Sequence, residues 1–498
     1  MGRDDPIRQS VSANFQQRGH VRGNHRRRAF LAELWRFAFH QAAGLAGHDR
    51  SARRHADIDR SRGRGRSLVM LPQLKDIATT LAARGVAMGG PLIVGIITAR
   101  ALGPEDRGQY FLMMSYAFVA SQIAGLGLHA SNTYLVARRP ELLAPLFVNC
   151  SYIAMILTPL IALIVVLALG WSPTTGNVAT AGKSIGPVAL VAVLLAPLIV
   201  FMTYVSNLAV AVGRVSLFNA LTVGYSLLVV IVALIVWGGG GGTLSFLLGA
   251  VFSAAAVCLV VSWRLISGRR LRMNFDVALF RRGFVYAIKA YLSSMCGSLM
   301  MRVGILALQM HSSMSEIGLF SVAVQLADGL AQLPATIGLL IFPLMIRTAA
   351  ENRRAAMWRA FWGLGAAMFL LLVIGGIASY WLIPLLFGQS FAGSYPLTIA
   401  LFPQLLLLSF MTVLSQYLAA EGYPWAQVFA WVVGFAVQTV LSYYFASLWG
   451  AFGVAIALTV SSAIVLGILL LEVVRRGGDP VATLDDESSR LASDISGR

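Results

Sequence analysis

The sequence predicts an all-α polytopic membrane protein with about 12 transmembrane helices, arranged as two six-helix bundles around a central cavity. Three observations carry that prediction. The 498 residues are 57% hydrophobic and only 12% charged, with a mean hydropathy of +0.74; soluble globular chains are about half apolar and roughly a quarter charged. Apolar stretches long enough to span a bilayer, about 20 residues each, recur from Ala78 to Val473. Between them, arginine-rich connections alternate with connections nearly free of cations. This composition excludes an ordinary soluble enzyme and, despite the net charge of +18, a nucleic-acid binder.

Taken in order, residues 1–70 form an Arg-rich leader that holds fifteen Arg against six acids and five of the seven His. Its one apolar patch, Ala29 to Gly47, is interrupted by Glu33, Arg36 and His40, so it lacks the uninterrupted apolar core of a signal peptide. It reads as a disordered or mis-assigned stretch, with Met70 as an alternative start. The N-terminal bundle follows over 75–265, with spans near 78–101, 109–131, 145–170, 186–211, 216–237 and 243–265. A basic linker, 266–283, joins it to the C-terminal bundle over 284–473, with spans near 284–309, 317–345, 360–387, 396–419, 426–447 and 451–473. A tail, 474–498, closes the chain. No connection between spans reaches 25 residues, which leaves no room for an extramembrane catalytic domain.

Lys/Arg asymmetry orients the spans. One side carries Arg138, Arg139 and Arg214, the linker arginines, Arg347, Arg353, Arg354 and Arg359, and finally Arg475 and Arg476; the other carries little beyond Arg107 and Lys183. Even-numbered connections and both termini are therefore expected on the cytoplasmic side. The halves also repeat. Gly108 and Gly318 open spans 2 and 8, Gly213 and Gly422 end spans 4 and 10, and Gly241 and Gly450 precede spans 6 and 12. The offsets are 210, 209 and 209 residues, as expected for two parallel repeats with substrate between them near the midplane.

Several of these segments resemble a known family. Ala99-Arg100-Ala101-Leu102-Gly103-Pro104-Glu105-Asp106-Arg107-Gly108-Gln109-Tyr110 is similar to the first outer loop of polysaccharide (O-antigen-type) transporters. These are lipid-linked oligosaccharide flippases of the multidrug/oligosaccharidyl-lipid/polysaccharide (MOP) exporter superfamily. Ile317-Gly318-Leu319-Phe320, Phe342-Pro343, Leu385-Leu386-Phe387-Gly388, Glu421-Gly422-Tyr423-Pro424 and Trp449-Gly450-Ala451-Phe452-Gly453 extend the likeness across about 75–475. The resemblance implies a flippase in the bacterial cytoplasmic (inner) membrane, with a polyprenyl-pyrophosphate-linked oligosaccharide as substrate. Membrane lipids and other polysaccharide-assembly proteins are the implied partners, with no nucleic acid. No bound cofactor is implied; H+ or Na+ is the coupling ion if the cycle is ion-driven, a reading that rests on Asp328 below.

Ionisable residues inside spans are costly and mark candidate sites. Arg84 and Lys289 stand at similar depth, about 8–9 Å into spans 1 and 7 at 1.5 Å per residue. In the resembled fold both helices line the cavity, where the two cations suit a pyrophosphate; the alternative is snorkelling to the interface. Arg302 is the deepest basic residue and the third pyrophosphate candidate. Asp328 lies near the bilayer centre, as its ion-pair partner or as the coupling residue. Gln122, Asn132, Asn207, Asn219, Gln325 and Gln438 are either sugar contacts or interhelical hydrogen bonds. Trp362, Tyr380, Trp381, Trp425, Trp431, Tyr443 and Tyr444 fall near span ends, as an interfacial belt does, with sugar stacking the alternative for a minority of them. Cys150, Cys258 and Cys296 lie in apolar runs, without the spacing of a metal site or disulfide framework.

Other classes fit less well. After the leader only His129 and His311 remain, with no loop of clustered carboxylates for an enzyme, and no GxxxxGK[ST] segment supports ATP-driven transport within this chain. A small-molecule (multidrug-type) secondary exporter of the same superfamily is the alternative, disfavoured by the excess of basic over acidic residues within the spans. Finally, a chain begun at Met70 is expected to complement a transporter-null strain as well as the full chain does; complementation by the full chain alone would show that the leader is needed.

Overall fold

The computed structural model describes residues 66–170, 187–269, 273–422 and 424–478. Residues 78–498 form one compact unit and residues 1–77 another, and of the latter only the helical 66–77 are described. Most of the leader and of the tail, and Lys183, lie outside the described residues.

Every long element is a helix. The first lobe holds α1 (Arg66–Ala124), α2 (Leu128–Arg138), α3 (Leu143–Tyr152), α4 (Thr158–Gly170), α5 (Pro187–Ala211), α6 (Val215–Gly238) and α7 (Thr243–Ile266). The second holds α8 (Val277–His311), α9 (Met314–Arg347), α10 (Ala350–Phe387), α11 (Ser394–Ala420) and α12 (Trp425–Gly478). Among the described residues nine helices are long and apolar enough to cross a membrane, or ten when the bent pair ending at Arg138 counts as one span.

Two of these helices cannot be single spans. α12 has 54 residues, about 81 Å at 1.5 Å per residue, against a hydrocarbon core of about 30 Å. It doubles back at Gly450, where φ is 56°, and its arms lie side by side, with Gly434 against Val465. Likewise α1, 59 residues long, breaks at Gly103, where φ is 71°; a residue with a Cβ is strained there. With both breaks the helices trace twelve traverses, six in each lobe. Helix α8 begins at Val277, earlier than the predicted 284, because Asp276 caps it by accepting from the Leu279 N–H at 2.9 Å. The basic linker is correspondingly shorter than 266–283.

Packing follows the solvent. Leucine, phenylalanine and tryptophan side chains on the lipid-facing surface are exposed, as at Leu259 and Trp263, whereas hydroxyls inside the helices turn back to their own carbonyls, as Thr98, Ser115 and Ser253 do. Within the second lobe α8 packs against α12 and α9 against α11. In the first, α7 packs against both α5 and α6. At the arginine-rich end Arg353 fastens α10 to Glu421, just past α11, at 2.7 Å. At the opposite end Ser313 caps α9, and the Glu316 carboxylate accepts from Ala451 N at 2.6 Å, tying α9 to the break in α12.

At that same end the repeat-related glycines meet. A Cβ on Gly108 would strike the Met314 carbonyl, and one on Gly318 would strike the Pro104 carbonyl. Pro104 and Met314 are themselves 210 residues apart, so the crossing is made twice by one rule. Both obstacles are backbone, which cannot swing aside. Gly318→Val is therefore expected to cost about 1–3 kcal/mol, the overpacking range, read as a lowered melting temperature of the detergent-purified protein. Gly363→Val, where a Cβ meets nothing within 4 Å, is the control; equal melting of the two variants would refute the crossing.

Candidate functional site

Arg107 stands one residue before that crossing and is 3% exposed. Its Nε donates to Ser321 Oγ at 2.8 Å and its Nη2 to Gln325 Oε1 at 2.6 Å, both on α9. Nη1 donates to Thr98 Oγ1 at 2.9 Å and to the Gly95 carbonyl, on the incoming arm of α1. The Phe387 and Phe391 rings stand 5.6 and 5.7 Å from the guanidinium carbon. Neutral oxygens and aromatic faces thus hold the charge. The sequence reading, which counted Arg107 among loop charges, is corrected here. Because Gly103 reverses the chain at once, Arg107 falls in the first turn of the returning helix, against the second lobe. Beside it Arg100 donates to the carbonyls of Leu386 and Leu385 at 2.7 and 2.5 Å, near the end of α10.

Deeper in the membrane the Arg302 Nη2 on α8 meets Asp328 Oδ2 on α9 at 2.6 Å. Arg302 also faces Phe111 and Phe118 of α1, with centroids 6.0 and 5.3 Å from its guanidinium carbon. Tyr116, between those residues in sequence, donates to Gln309 of α8. The ion pair is unequal in burial, with side-chain exposures of 19% for Arg302 and 48% for Asp328. Arg84 lies on α1 and Lys289 on α8, both on helical backbone; their side chains lie outside the described residues.

Asp328 opens onto a cavity of about 650 Å³ inside the second lobe, walled by α8, α9, α11 and α12. Its described lining is mostly apolar and carries no Lys or Arg, with Ser293, Ser298, Gln332, Gln404, Gln427 and Gln438 set among apolar side chains and Trp431. Volume and mixed lining both suit a small-molecule site. Trp431, one of the aromatics read from sequence as an interfacial belt with sugar stacking as the alternative, lines this cavity, its ring against Gly297.

The other polar candidates divide. Gln325 belongs to the Arg107 network and also donates to the Pro91 carbonyl at 2.8 Å. Asn132 donates to Cys150 Sγ at 3.0 Å, and Asn207 bonds its own helix at Thr203 O. Gln438 alone of the six lines the large cavity. One residue that sequence reasoning missed is Tyr291, whose hydroxyl donates to the carbonyls of Gln122 and Ile123 at 3.0 and 2.7 Å. It satisfies the groups freed where α1 ends, a break passing through Leu126 and Gly127, both at positive φ. A tyrosine in an apolar run gave no signal of that contact.

Known proteins agree with this architecture. Residues 73–349 match the family described as Polysaccharide biosynthesis protein. The EPS I polysaccharide export inner membrane protein EpsE of Ralstonia nicotianae is 26% identical over 405 residues, covering 77% of this chain and 89% of that one. Among solved structures, the lipid II flippase MurJ in an inward closed conformation superposes with a TM-score of 0.63 at 13% identity, covering 80% of this chain and 87% of the other. An inward-facing multidrug resistance MATE family transporter of the MOP superfamily gives 0.56 at 16% identity, covering 78% and 94%. These likenesses establish the fold.

The planar fork of Arg107, rather than its charge, makes the junction: four donor bonds leave in fixed directions. Arg107→Lys is therefore expected to lose about 1–3 kcal/mol through the acceptors it leaves unpaired, nearly as much as Arg107→Ala, in thermal unfolding of the purified protein. Melting of Arg107→Lys at the native temperature would assign the role to charge alone.

Proposed function

The chain belongs to the polysaccharide biosynthesis protein family, and from that premise we propose that it is a flippase for polyprenyl-pyrophosphate-linked oligosaccharide. It works by alternating access between two six-helix lobes. The observation that carries the reading is Arg302, a guanidinium set between the lobes and balanced by a single half-exposed carboxylate.

The arginine bias of the connections supports placing the Arg107 end at the outer face and both termini in the cytoplasm. The relative whose name places it in the inner membrane supports the same membrane for this chain. In this scheme Arg84 and Lys289 receive the pyrophosphate at the cytoplasmic leaflet. Arg302 holds it once the cleft opens outward; arginine binds phosphate bidentately and more strongly than it binds a neutral partner. Asp328, released as Arg302 turns to the pyrophosphate, takes up H+ or Na+, which links transport to an ion gradient. Opening outward must part the contacts of Arg107 with Ser321 and Gln325. Those bonds join neutral oxygens to one cation, so they can be exchanged for water as the rim opens.

A fluorescent polyprenyl-pyrophosphate oligosaccharide in proteoliposomes tests the reading directly. Arg302→Ala leaves Asp328 without its partner, a loss of about 3–5 kcal/mol for a fully buried acid and less for one half exposed. The double variant Arg302→Ala/Asp328→Ala relieves that loss and is expected to insert at near-normal levels yet move no lipid, while Arg302→Lys retains partial activity. Native rates from the double variant would assign Arg302 to packing. Efflux of a cationic dye without movement of the lipid would favour a multidrug-type exporter instead.

A further inference from the structure

The cavity inside the second lobe contains more than space. Gln427 and Gln438 line it and are 4% and 1% exposed. Each spends its amide N–H₂ inside the protein: Gln427 Nε2 donates to the Ser415 carbonyl at 3.5 Å, and Gln438 Nε2 donates to Ser442 Oγ at 2.8 Å. The Oε1 of both glutamines, and the Ser415 hydroxyl, have no protein partner. Buried acceptors are almost always paired, and an unpaired one costs about 1–3 kcal/mol. In this conformation neither oxygen is open to water, so each meets a donor only when its side chain turns into the cavity that it lines.

Their spacing narrows the choice. Gln427, Trp431 and Gln438 stand at i, i+4 and i+11 on one arm of α12, a single stripe about 16 Å long. An aromatic ring thus lies between two acceptors, with Gly297 of α8 leaving it room. An isoprenoid or acyl chain would leave both glutamine oxygens unpaired. An anion finds no Lys or Arg on the described lining, and a cation finds the carboxylate of Asp328 already engaged by Arg302. The remaining chemistry is a neutral polyhydroxyl compound, with O–H donors along its rim and C–H faces that stack on indole.

We propose that this cavity binds an uncharged saccharide unit of the transported molecule, with Gln427 and Gln438 accepting from sugar hydroxyls and Trp431 under a sugar ring. The proposal rests on the reading that the chain handles oligosaccharides, and adds where the sugar sits and which sugars fit. The pyrophosphate is held in the cleft between the lobes, whereas the sugar enters the second lobe beside Asp328.

The test uses the full chain in lipid nanodiscs and two soluble probes, a neutral N-acetylated disaccharide and a glucuronate-containing one, followed by ligand-detected NMR titration. The neutral probe is expected to bind, and the acidic one to bind at least tenfold more weakly because its carboxylate finds no Lys or Arg on the described lining. Gln427→Leu and Gln438→Leu should each weaken the neutral probe about tenfold, while Thr439→Val, on the exposed side of α12, should leave it unchanged. Ala335→Phe, which fills an exposed lining position, should abolish binding even if the glutamine variants fail to fold. Equal binding by the native chain and the Gln427→Leu/Gln438→Leu or Ala335→Phe variants would overturn the proposal, as would displacement of the disaccharide by farnesol. Intact lipid flipping with no saccharide binding would overturn this inference alone; saccharide binding in a chain that moves no lipid-linked oligosaccharide would overturn the flippase reading alone.

Discussion

Where the two lobes cross, main chain meets main chain, and that closeness governs the rest of the molecule. Gly108 and Gly318 leave no room for a side chain between one helix and the carbonyls of the other. In hydrocarbon there is no water to satisfy a polar group that such an approach exposes. Beside the crossing, Arg107 donates to a carbonyl and three side-chain oxygens drawn from both lobes. Phe387 and Phe391 close over it from the end of α10 and the turn that follows. A single cation thus brings α1, α9 and the far end of α10 into register.

The repeat gives this junction its shape, and departures from the repeat give it chemistry. The offset of 210 that pairs the two glycines also pairs Arg107 with Ile317, Phe111 with Ser321, and Phe118 with Asp328. Arg107 reaches Ser321, and Arg302 faces Phe111, so each arginine addresses one member of the same related pair. Arg302 likewise lies between Phe118 and Asp328, an aromatic face on one side and a carboxylate on the other. Equivalent backbones therefore place unlike groups at equivalent points, and a charge is held across a near-symmetric interface without a symmetric partner. Among the described contacts of Arg302, the one with Asp328 is ionic and those with Phe111 and Phe118 are not.

The lobes also differ inside. The cavity of about 650 Å³ belongs to the second lobe, while the space around His129 and Tyr204, where the first lobe meets Tyr291, is only about 70 Å³. The difference follows from residue size. Gly297, Ser298 and Gly304 thin the wall of α8, whereas in the first lobe the buried Tyr204 fills its surroundings and donates to the Gly125 carbonyl at 2.9 Å. The cavity therefore belongs to one lobe alone, walled by α8, α9, α11 and α12.

The sequence by itself determined the membrane environment, the two six-span halves and the glycines at which helices turn, because these depend on local quantities. Those quantities are runs of apolar residues, arginine bias between them, and positions that only a residue without a Cβ adopts easily. Asp328 and Arg302 were also legible as partners, since depth along neighbouring antiparallel spans follows from helical rise. The structure alone decided that Arg107 is interior, that Trp431 serves a cavity rather than the interface, and that Tyr291 closes the break after α1. Each of those depends on which helix faces which across hundreds of residues. Helical periodicity reveals that a face is apolar or polar, but only the packing of the two lobes selects the partner it meets.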